Sequence, residues 1–308
     1  MTTTSPPPGG PRVGIVVTDV YGAQDPDHDT PPLLAALRAR GLDARAVVWH
    51  ADEDWAAFDL LVLRSPWDYP ERFAQLTAWL DHVDAVTCVQ NPPALVRWNL
   101  DKRYLAQLAD LGVAVVPTTY RTSLDDVRGD LAAHADAHVV LKPTVSAGAR
   151  DTGLFRADDE RALALAARIL TAGGTVMVQP EVPELSDGLE KAVYLVDGEL
   201  THAIAKGALL APGGGLRGGT YVEHPRQVAV SADEAAFARR VLDAVARATG
   251  LGTPLYARVD LVDSAEHGRV LLEAELFEPA LNLHVVPHVT PIVAAAIERR
   301  LARSAPER

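Results

Sequence analysis

The chain has 308 residues, of which 48% are hydrophobic and 23% charged, the composition of an ordinary globular protein. Its net charge of −12 argues against a nucleic-acid groove or an anionic membrane surface as partner. The single cysteine, Cys88, excludes a disulfide framework. Residues 1–11 lack the features of a signal peptide, and no apolar run could cross a bilayer. We therefore expect a disordered leader at 1–11 and a cytoplasmic location, and the length predicts two or three packed subdomains.

Residues 12–112 alternate short apolar runs with helical segments. RVGIVVTDV, ARAVVWH and FDLLVLRS read as strands. The segment from Leu33 to Arg40 has helical periodicity and stops at Gly41, and ERFAQLTAWLDHV is a second helix. This alternation predicts an N-terminal α/β domain whose parallel sheet is covered on both faces.

The loop RSPWDY follows one of these strands at its carboxyl end. Ligands of parallel sheets bind at that edge, so Arg64, Ser65 and Asp68 are candidates for substrate binding. The alternative is a capped turn with Trp67 packed beneath it. The sequence leaves both open.

The next segment, ALVRWNLDKRYLAQLADLGV, predicts a single amphipathic helix closed by Gly112. Lys102 is placed near the start of this helix. A lysine there could reach a phosphate, although a lone surface lysine is usually only solvated.

Short strands dominate residues 113–185: VAVVPTTY, AHVVLKPTV and TVMVQPEV. Lys142 interrupts the end of one apolar strand, where a buried ammonium needs an anionic partner. In the loop SAGARDTG, Ser146 and Gly148 could turn backbone N–H groups toward a phosphate, but most such loops are plain turns. VMVQPEVPEL then predicts a strand that runs into an extended hinge, of the kind that can hold an adenine ring. Arg161 to Leu170 reads as a surface helix.

Residues 186–308 begin with a hairpin, KAVYLVDGEL and THAIAKGALL, that turns at Asp197 and Gly198. Five glycines then fall between positions 213 and 219, which predicts a linker or a mobile flap over a site. Residues 231–250 form a helix, and a final helix runs to about Leu301.

An acidic hairpin is predicted from YARVDLV and VLLEAELF, which a polar DSAEHG turn joins. The polar residues within each strand are two apart, so Arg258, Asp260, Glu273 and Glu275 share one face if the strands are neighbours. Clustered carboxylates repel, and a hard cation such as Mg²⁺ relieves that repulsion. The alternative is a solvated charged face on which Arg258 neutralises Asp260.

Taken together, Lys102, Lys142 in LKP, the small-residue loop, the hinge, Glu190 and the RVD…EAE hairpin resemble the ATP-grasp superfamily of carboxylate–amine ligases. The resemblance implies an ATP-grasp fold, α/β (α+β), with an N-terminal pre-ATP-grasp domain at 12–112, a small lid at 113–185 and a catalytic subdomain at 186–308. It also implies two cofactors, ATP and Mg²⁺, with two ions expected.

The same resemblance assigns roles to individual residues. Lys102 and Lys142 would bind phosphates together with the loop of Ser146 and Gly148. Arg258 and Lys142 would stabilise the transferring phosphate. The adenine hinge would be Gln179, Glu181 and Val182; Glu190 would contact the ribose; and the metal ligands would be Asp260, Glu273 and Glu275. The chain departs from the superfamily at Glu275, where asparagine is usual.

A narrower resemblance is carried by LRSPWDY, VRWNLDKRYL, KPTVSAGARDT, VMVQP, HAIAKGALL and LYARVDLV…ELFEP. These motifs look like the cycloserine-biosynthesis branch, whose namesake activity is the closure of the D-cycloserine ring from O-ureido-serine. The branch implies a small amino-acid-like carboxylate as substrate, with Arg150 as a further candidate ligand. The alternatives are an intermolecular carboxylate–amine ligase and a non-catalytic nucleotide-binding protein. A homodimer is the default expectation for such an enzyme.

One departure from the branch concerns substrate choice. The branch usually reads EPSLFL, whereas this chain reads EPALNLH, with Ala280, Asn282 and His284 at the differing positions. If the segment is extended, Asn282 and His284 point to the same face and could read a polar substrate group. The alternative is that His284 packs on the final helix and Asn282 caps a turn.

Overall fold

The computed structural model describes residues 9–21, 26–219 and 224–304. Residues 1–8 of the expected leader lie outside that range. The N-terminal unit is a parallel sheet of order β2-β1-β3-β4, from β1 (Arg12–Val17), β2 (Asp43–Val48), β3 (Leu60–Ser65) and β4 (Val89–Gln90). Alternate residues of its strands enter two separate cores, one with α1 (Thr30–Ala39) and one with α2 (Phe73–Val86). The predicted doubly covered sheet is confirmed.

The single helix predicted across residues 94–112 is wrong. Two helices occupy this stretch, α3 (Pro93–Asn99) and α4 (Tyr104–Asp110), with a break at 100–103. Tertiary hydrogen bonds hold the break open: the backbone N–H of Lys102 donates to the Thr144 carbonyl at 2.8 Å, and the side chain of Asn99 bonds to the backbone of Ala274 and Leu276.

The lid is an antiparallel sheet of order β5-β8-β6-β7, from β5 (Thr119–Arg121), β6 (His138–Pro143), β7 (Gly153–Arg156) and β8 (Val176–Pro180). Helices α5 (Leu124–Ala133) and α6 (Glu160–Thr171) pack with it around one core. Sequence reasoning missed α5, whose signal is the N-cap of Ser123 to Asp126, and also β7. The strand expected over VAVVPTTY is divided, because Val115 bridges Leu271 instead of joining the lid.

The third unit is a five-stranded sheet of order β11-β10-β9-β12-β13, from β9 (Lys191–Val196), β10 (Glu199–Ala205), β11 (Arg226–Val228), β12 (Tyr256–Ser264) and β13 (Gly268–Glu275). The short helix α7 (Pro183–Ser186) precedes it. On one face lies α8 (Ala232–Thr249), which begins with a capping box and ends at Gly250. The last helix, α9 (Thr290–Ser304), packs against α1 of the first unit.

The three sheets fall within the predicted ranges 12–112, 113–185 and 186–308, and the domain limits themselves stay predictions. Within the described residues, no helix is both long and apolar enough to cross a membrane.

Candidate active site

A cavity of about 500 Å³ lies where the three units meet. Residues of the lid, the five-stranded sheet and the loops after β1 and β3 all line it. Its walls bring together all of the predicted catalytic, nucleotide-binding and metal-binding residues: Lys102, Lys142, Ser146, Gly148, Gln179, Glu181, Val182, Glu190, Arg258, Asp260, Glu273 and Glu275. Arg150 is the one substrate candidate that also lines it.

The acidic hairpin forms the charged wall of this cavity. β12 and β13 are antiparallel neighbours, with Arg258 opposite Glu275 and Asp260 opposite Glu273. Arg258 donates from Nε to Asp260 Oδ1 at 2.8 Å and from Nη2 to Glu275 Oε1. The predicted shared face is therefore confirmed. The solvated alternative is half right: Arg258 does neutralise Asp260, but the two side chains are only 6% and 2% exposed.

The break between α3 and α4 places Lys102 at this wall. Its Nζ lies 3.1 Å from Glu273 Oε1 and donates to the Ser146 carbonyl at 2.8 Å. In a continuous helix the backbone N–H of Lys102 would bond within the helix and could not donate to the Thr144 carbonyl. The hydrogen bond that breaks the helix therefore also positions the Lys102 ammonium at the cavity wall. Lys102 is 6% exposed, which excludes the solvated alternative.

The carboxyl groups of the hairpin differ in their electrostatic environment. Burial alone would raise the pKa of Asp260, but Arg258 and Lys206 outweigh it and hold that pKa below its usual range. Lys102 and Lys142 likewise outweigh burial at Glu273 and lower its pKa. At Glu275 burial prevails over the attraction of Arg258 and raises the pKa to about 7. The extra carboxyl group at this position is thus the one that ionises least readily.

The donor set suits a hard cation, since Asp260, Glu273 and Glu275 supply only oxygen ligands. In the described part of the chain, no group of three or more His, Cys, Asp or Glu side chains is arranged to hold a metal ion. The reason is visible in the ion pairs: Asp260 and Glu275 both contact Arg258, while Glu273 contacts Lys102. A divalent cation fits this chemistry in place of those cationic partners.

Lys206 is a functional candidate that sequence reasoning missed. Its ammonium lies 3.1 Å from Glu190 Oε1 and 3.3 Å from Asp260 Oδ2, and it lines the cavity. The motif HAIAKGALL contained it, and a lysine in an apolar strand end is the same signal that singled out Lys142. Burial raises the pKa of Glu190 against the pull of Lys206. Burial also lowers the pKa of Lys142, which is 8% exposed.

The hinge side of the cavity follows β8. The amide of Gln179 donates to Thr118 Oγ1 at 2.7 Å, and Glu181 accepts from Ser186 Oγ at 2.8 Å. The side chain of Val182 is buried. Gly148 has φ +61°, a conformation that favours glycine, and lies in the loop that also faces the cavity.

The described glycine-rich residues 213–219 run beside the lid. The backbone N–H groups of Gly213 and Gly214 both donate to the Leu154 carbonyl at 2.9 Å. A Cβ on Gly214 would lie 2.4 Å from the Phe155 ring, so glycine permits this close approach. Closure of the segment over the site stays a prediction, and residues 220–223 lie outside the described range.

Three predicted substrate residues are buried and bond to other side chains or backbone of the protein, and none of them lines the cavity. Arg64 is 1% exposed, pairs with Asp29 at 3.2 Å and donates to the Pro279 carbonyl. Ser65 donates to Asp27 at 2.6 Å, and Asp68 accepts from Trp49 Nε1 at 2.7 Å. The alternative of a structured turn describes this loop better, although Trp67 itself lines the cavity.

The chain is not extended at Asn282, which was the condition for Asn282 and His284 to share a face. Asn282 has φ +55° and begins a turn in which the Val285 N–H donates to its carbonyl at 2.9 Å. Its amide is buried and donates to the Tyr194 hydroxyl at 3.0 Å, whereas His284 is exposed beside the His28 ring. The two side chains therefore do not share a face, and neither lines the cavity.

Side chains hold the backbone of residues 278–283 almost continuously. The carbonyls of Glu278, Ala280 and Leu281 accept from Trp67, Tyr194 and His202, respectively, at 2.9 Å each. The N–H groups of Leu281 and Leu283 donate to Asp29. This support fixes Glu278 and Ala280 at the cavity wall. Sequence reasoning missed Glu278, although the motif ELFEP contained it.

The fold and this cation–carboxylate site define an ATP-grasp ligase, an enzyme that uses ATP to join a carboxylate to a nitrogen. Two solved structures share the fold: the ATP-grasp ligase PsnB complexed with minimal precursor, Mg and ADP (TM-score 0.61, 18% identity, 94% of this chain and 98% of that chain), and a RimK domain protein from Sphaerobacter thermophilus (TM-score 0.64, 20% identity, 93% and 99%).

Closer relatives define the branch. The family description "D-cycloserine synthetase DcsG, N-terminal domain" matches residues 13–91. The cycloserine biosynthesis protein DcsG of Streptomyces lavendulae is 40% identical over 265 residues, which are 83% of this chain and 88% of that protein. The crystal structure of D-cycloserine synthetase DcsG superposes with TM-score 0.87 at 37% identity, covering 94% of this chain and 99% of that chain. The chain belongs to the cycloserine-biosynthesis branch of the ATP-grasp ligases.

Proposed function

We propose that the chain activates the carboxylate of a small amino-acid-like substrate as an acyl phosphate and then closes a ring by attack of a nitrogen of the same molecule. The similarity to D-cycloserine synthetase DcsG supports D-cycloserine as the product, and the resemblance to that branch implies O-ureido-serine as the substrate. The observation that carries the proposal is the buried cavity wall on which three carboxylates meet Arg258, Lys102 and Lys206.

The nucleotide would occupy the part of the cavity beneath the lid. Lys142 and Lys102 would meet its phosphates, and the loop of Ser146 and Gly148 would add backbone N–H groups. The apolar hinge around Val182 would pack on the adenine, with Gln179 and Glu181 supplying the polar contacts. Glu190, held by Lys206, would accept a hydrogen bond from the ribose.

Magnesium would bind to Asp260, Glu273 and Glu275, with two ions proposed because the site offers six carboxylate oxygens. When bound, Mg²⁺ would neutralise charge on the phosphates and align them for transfer. Lys102 and Arg258, which contact protein carboxylates in the structure, would then contact phosphate oxygens of the nucleotide instead.

Two anions react in the first step, so the residues must screen and align them. The substrate carboxylate attacks the terminal phosphorus of ATP, a carboxyl oxygen–phosphorus bond forms, and ADP leaves. Arg258 and Lys142 stabilise the charge on the transferring group. In the second step the oxygen-bound nitrogen of the ureido group attacks the acyl carbon, the C–N bond forms, phosphate leaves with the C–O bonding electrons, and the nitrogen proton passes to solvent. For D-cycloserine to be the product, water must also cleave the bond between this nitrogen and the carbamoyl carbon, which releases carbamate, and the carbamate decomposes to CO2 and ammonia. Proximity within one molecule favours ring closure.

ADP release tests the proposal. The enzyme is supplied with ATP, Mg²⁺ and O-ureido-D-serine, and the products are identified by mass spectrometry. We expect ADP and D-cycloserine in equal amounts. ADP release that requires a separate amine, with a linear product, would assign an intermolecular ligase instead, and no ADP release with any of a panel of amino acids would contradict ligase activity. The homodimer and the cytoplasmic location stay predictions.

A further inference from the structure

One buried carboxyl group at the cavity wall has no role in the chemistry proposed above. Glu278 is 8% exposed and lines the cavity together with Tyr21, Trp67 and Ala280. Among the ion pairs of the described residues, none includes Glu278, and the hydroxyl of the neighbouring Tyr69 donates to the Ser146 carbonyl at 3.2 Å. Buried carboxylates are normally paired with a cation, so this one calls for a cationic partner.

The nearby basic side chains are already engaged. Arg258 contacts Asp260 and Glu275, and Lys102 contacts Glu273. Burial, followed by the charge of Glu275, raises the pKa of Glu278 well above its usual range, against the weaker pull of Arg258. The protein therefore does not itself supply the charge that would keep Glu278 ionised.

Two aromatic rings lie at the same part of the wall. Trp67 Nε1 donates to the Glu278 carbonyl at 2.9 Å, which ties the indole to this residue. The Tyr21 ring stands at 86° to the indole with ring centroids 5.9 Å apart. Aromatic faces beside a carboxylate attract an ammonium group, because the negative face of the ring and the carboxylate charge act in the same direction.

We propose that Glu278 binds the α-ammonium group of the substrate, with Tyr21 and Trp67 beside it, and so restricts the enzyme to α-amino carboxylates. This inference rests on the proposed function, because it takes the reacting carboxylate to lie at the nearby acidic hairpin. The backbone contacts of residues 278–283 hold Glu278 in position. The ammonium group would be the cationic partner of Glu278.

Calorimetry on the enzyme loaded with AMPPNP and Mg²⁺ tests the inference without turnover. The ligands are O-ureido-D-serine and its des-amino analogue, 3-(ureidooxy)propanoate. We expect the wild type to bind the amino compound at least about 30-fold more tightly, and Glu278→Gln to reduce that ratio to within about threefold. Asp263→Asn, an exposed site on the same hairpin, is the control and should keep the wild-type ratio.

A ratio unchanged in Glu278→Gln, or equal weakening of both compounds, would overturn the inference. So would a raised Mg²⁺ requirement with an intact ratio, which would make Glu278 a metal ligand. Should Glu278→Gln fail to fold, Trp67→Leu gives a second measurement, with an expected loss of about tenfold for the amino compound alone. An intact amino preference without ring product would refute ring closure and leave Glu278 as the ammonium ligand, whereas binding of neither compound by the wild type would refute both.

Discussion

The two parts of the cavity wall differ in how their charges are compensated. On the acidic hairpin, Asp260 and Glu273 each have basic partners, and those partners lower the pKa of both carboxyl groups. On the segment 278–283, Glu278 has no ion-pair partner among the described residues, and its pKa is raised. Under our proposals, the hairpin would bind the anionic phosphates and their metal, whereas Glu278 in the segment 278–283 would pair with a cationic group of the substrate.

The supports of the two parts differ as well. Sheet pairing between β12 and β13 positions the hairpin carboxylates. Side chains from distant elements, including Asp29, Tyr194 and His202, hold the second part through its backbone. A substitution in the hairpin should therefore affect catalysis, while most substitutions around the second part should affect stability first.

The largest effect is expected from Glu273→Gln. Loss of this carboxylate removes a proposed metal contact that matters most in the transition state, so kcat for ADP release should fall by about 10²–10³-fold. Nucleotide affinity, measured by calorimetry, should fall by less than about tenfold. Asp263→Asn on the same hairpin is the matched control. Near wild-type turnover in Glu273→Gln would mean that the hairpin carboxylates have no catalytic role.

Lys142→Met should weaken ATP binding by about 10–150-fold, because a charge-assisted contact to phosphate is worth about 1.5–3 kcal/mol. The fold should persist, since the variant removes a buried ammonium whose pKa burial already lowers. Calorimetry gives the affinity and circular dichroism the melting temperature. Lys191→Met, which loses a contact to Glu234 outside the cavity, should leave ATP affinity unchanged. Unchanged affinity in Lys142→Met would remove Lys142 from the phosphate site.

The contribution of His202 to the stability of the segment 278–283 should depend on pH. It stacks on Tyr194 and bonds the Leu281 carbonyl, and burial lowers its pKa from 6.5 to about 4. The unfolded chain therefore binds the proton first. Stability from the neutral ring is fully present above pH 6.5 and is lost as the pH falls through about 4, by about 3 kcal/mol.

Urea unfolding of the wild type and His202→Gln at pH 7, 5.5 and 4.5 measures this contribution. The stability advantage of the wild type should shrink as the pH falls, while His82→Gln, at an exposed position, should show no such trend. An advantage that does not change with pH would mean that His202 is not held neutral in the fold.

The smallest effects are expected from substitutions at Asn282 and Ala280. The former should change stability and the latter substrate turnover. Asn282→Ala loses the bond to Tyr194 and places alanine at φ +55°, so unfolding should become easier by about 2 kcal/mol with little change in substrate preference. Asn282→Gly retains the conformation and isolates the hydrogen bond. Ala280→Ser, at the cavity wall, should change kcat/KM by about 3–10-fold at unchanged stability. The reverse pattern would restore Asn282 as a selector of substrate.

The sequence by itself determined the elements that local patterns encode. The period-two alternation of Arg258, Asp260, Glu273 and Glu275 predicted the hairpin and its charged face, since neighbouring strands joined by a short turn can hardly pair otherwise. Glycine stops and apolar runs likewise predicted the doubly covered parallel sheet and the Asp197–Gly198 turn. The position of Lys142 at the cavity was predictable, because a buried ammonium at the end of an apolar strand needs an anionic partner.

Only the tertiary structure decided the rest, because the partners lie far apart in the chain. The helix break at Lys102 depends on Thr144 and on the backbone of β13. Arg64 follows a strand as a substrate ligand would, yet Asp29 and the Pro279 carbonyl engage it. Glu278 stands outside the alternation of the hairpin, so no local pattern marks it. Its burial without a basic partner arises when loops after β1 and β3 close against residues more than 200 positions away.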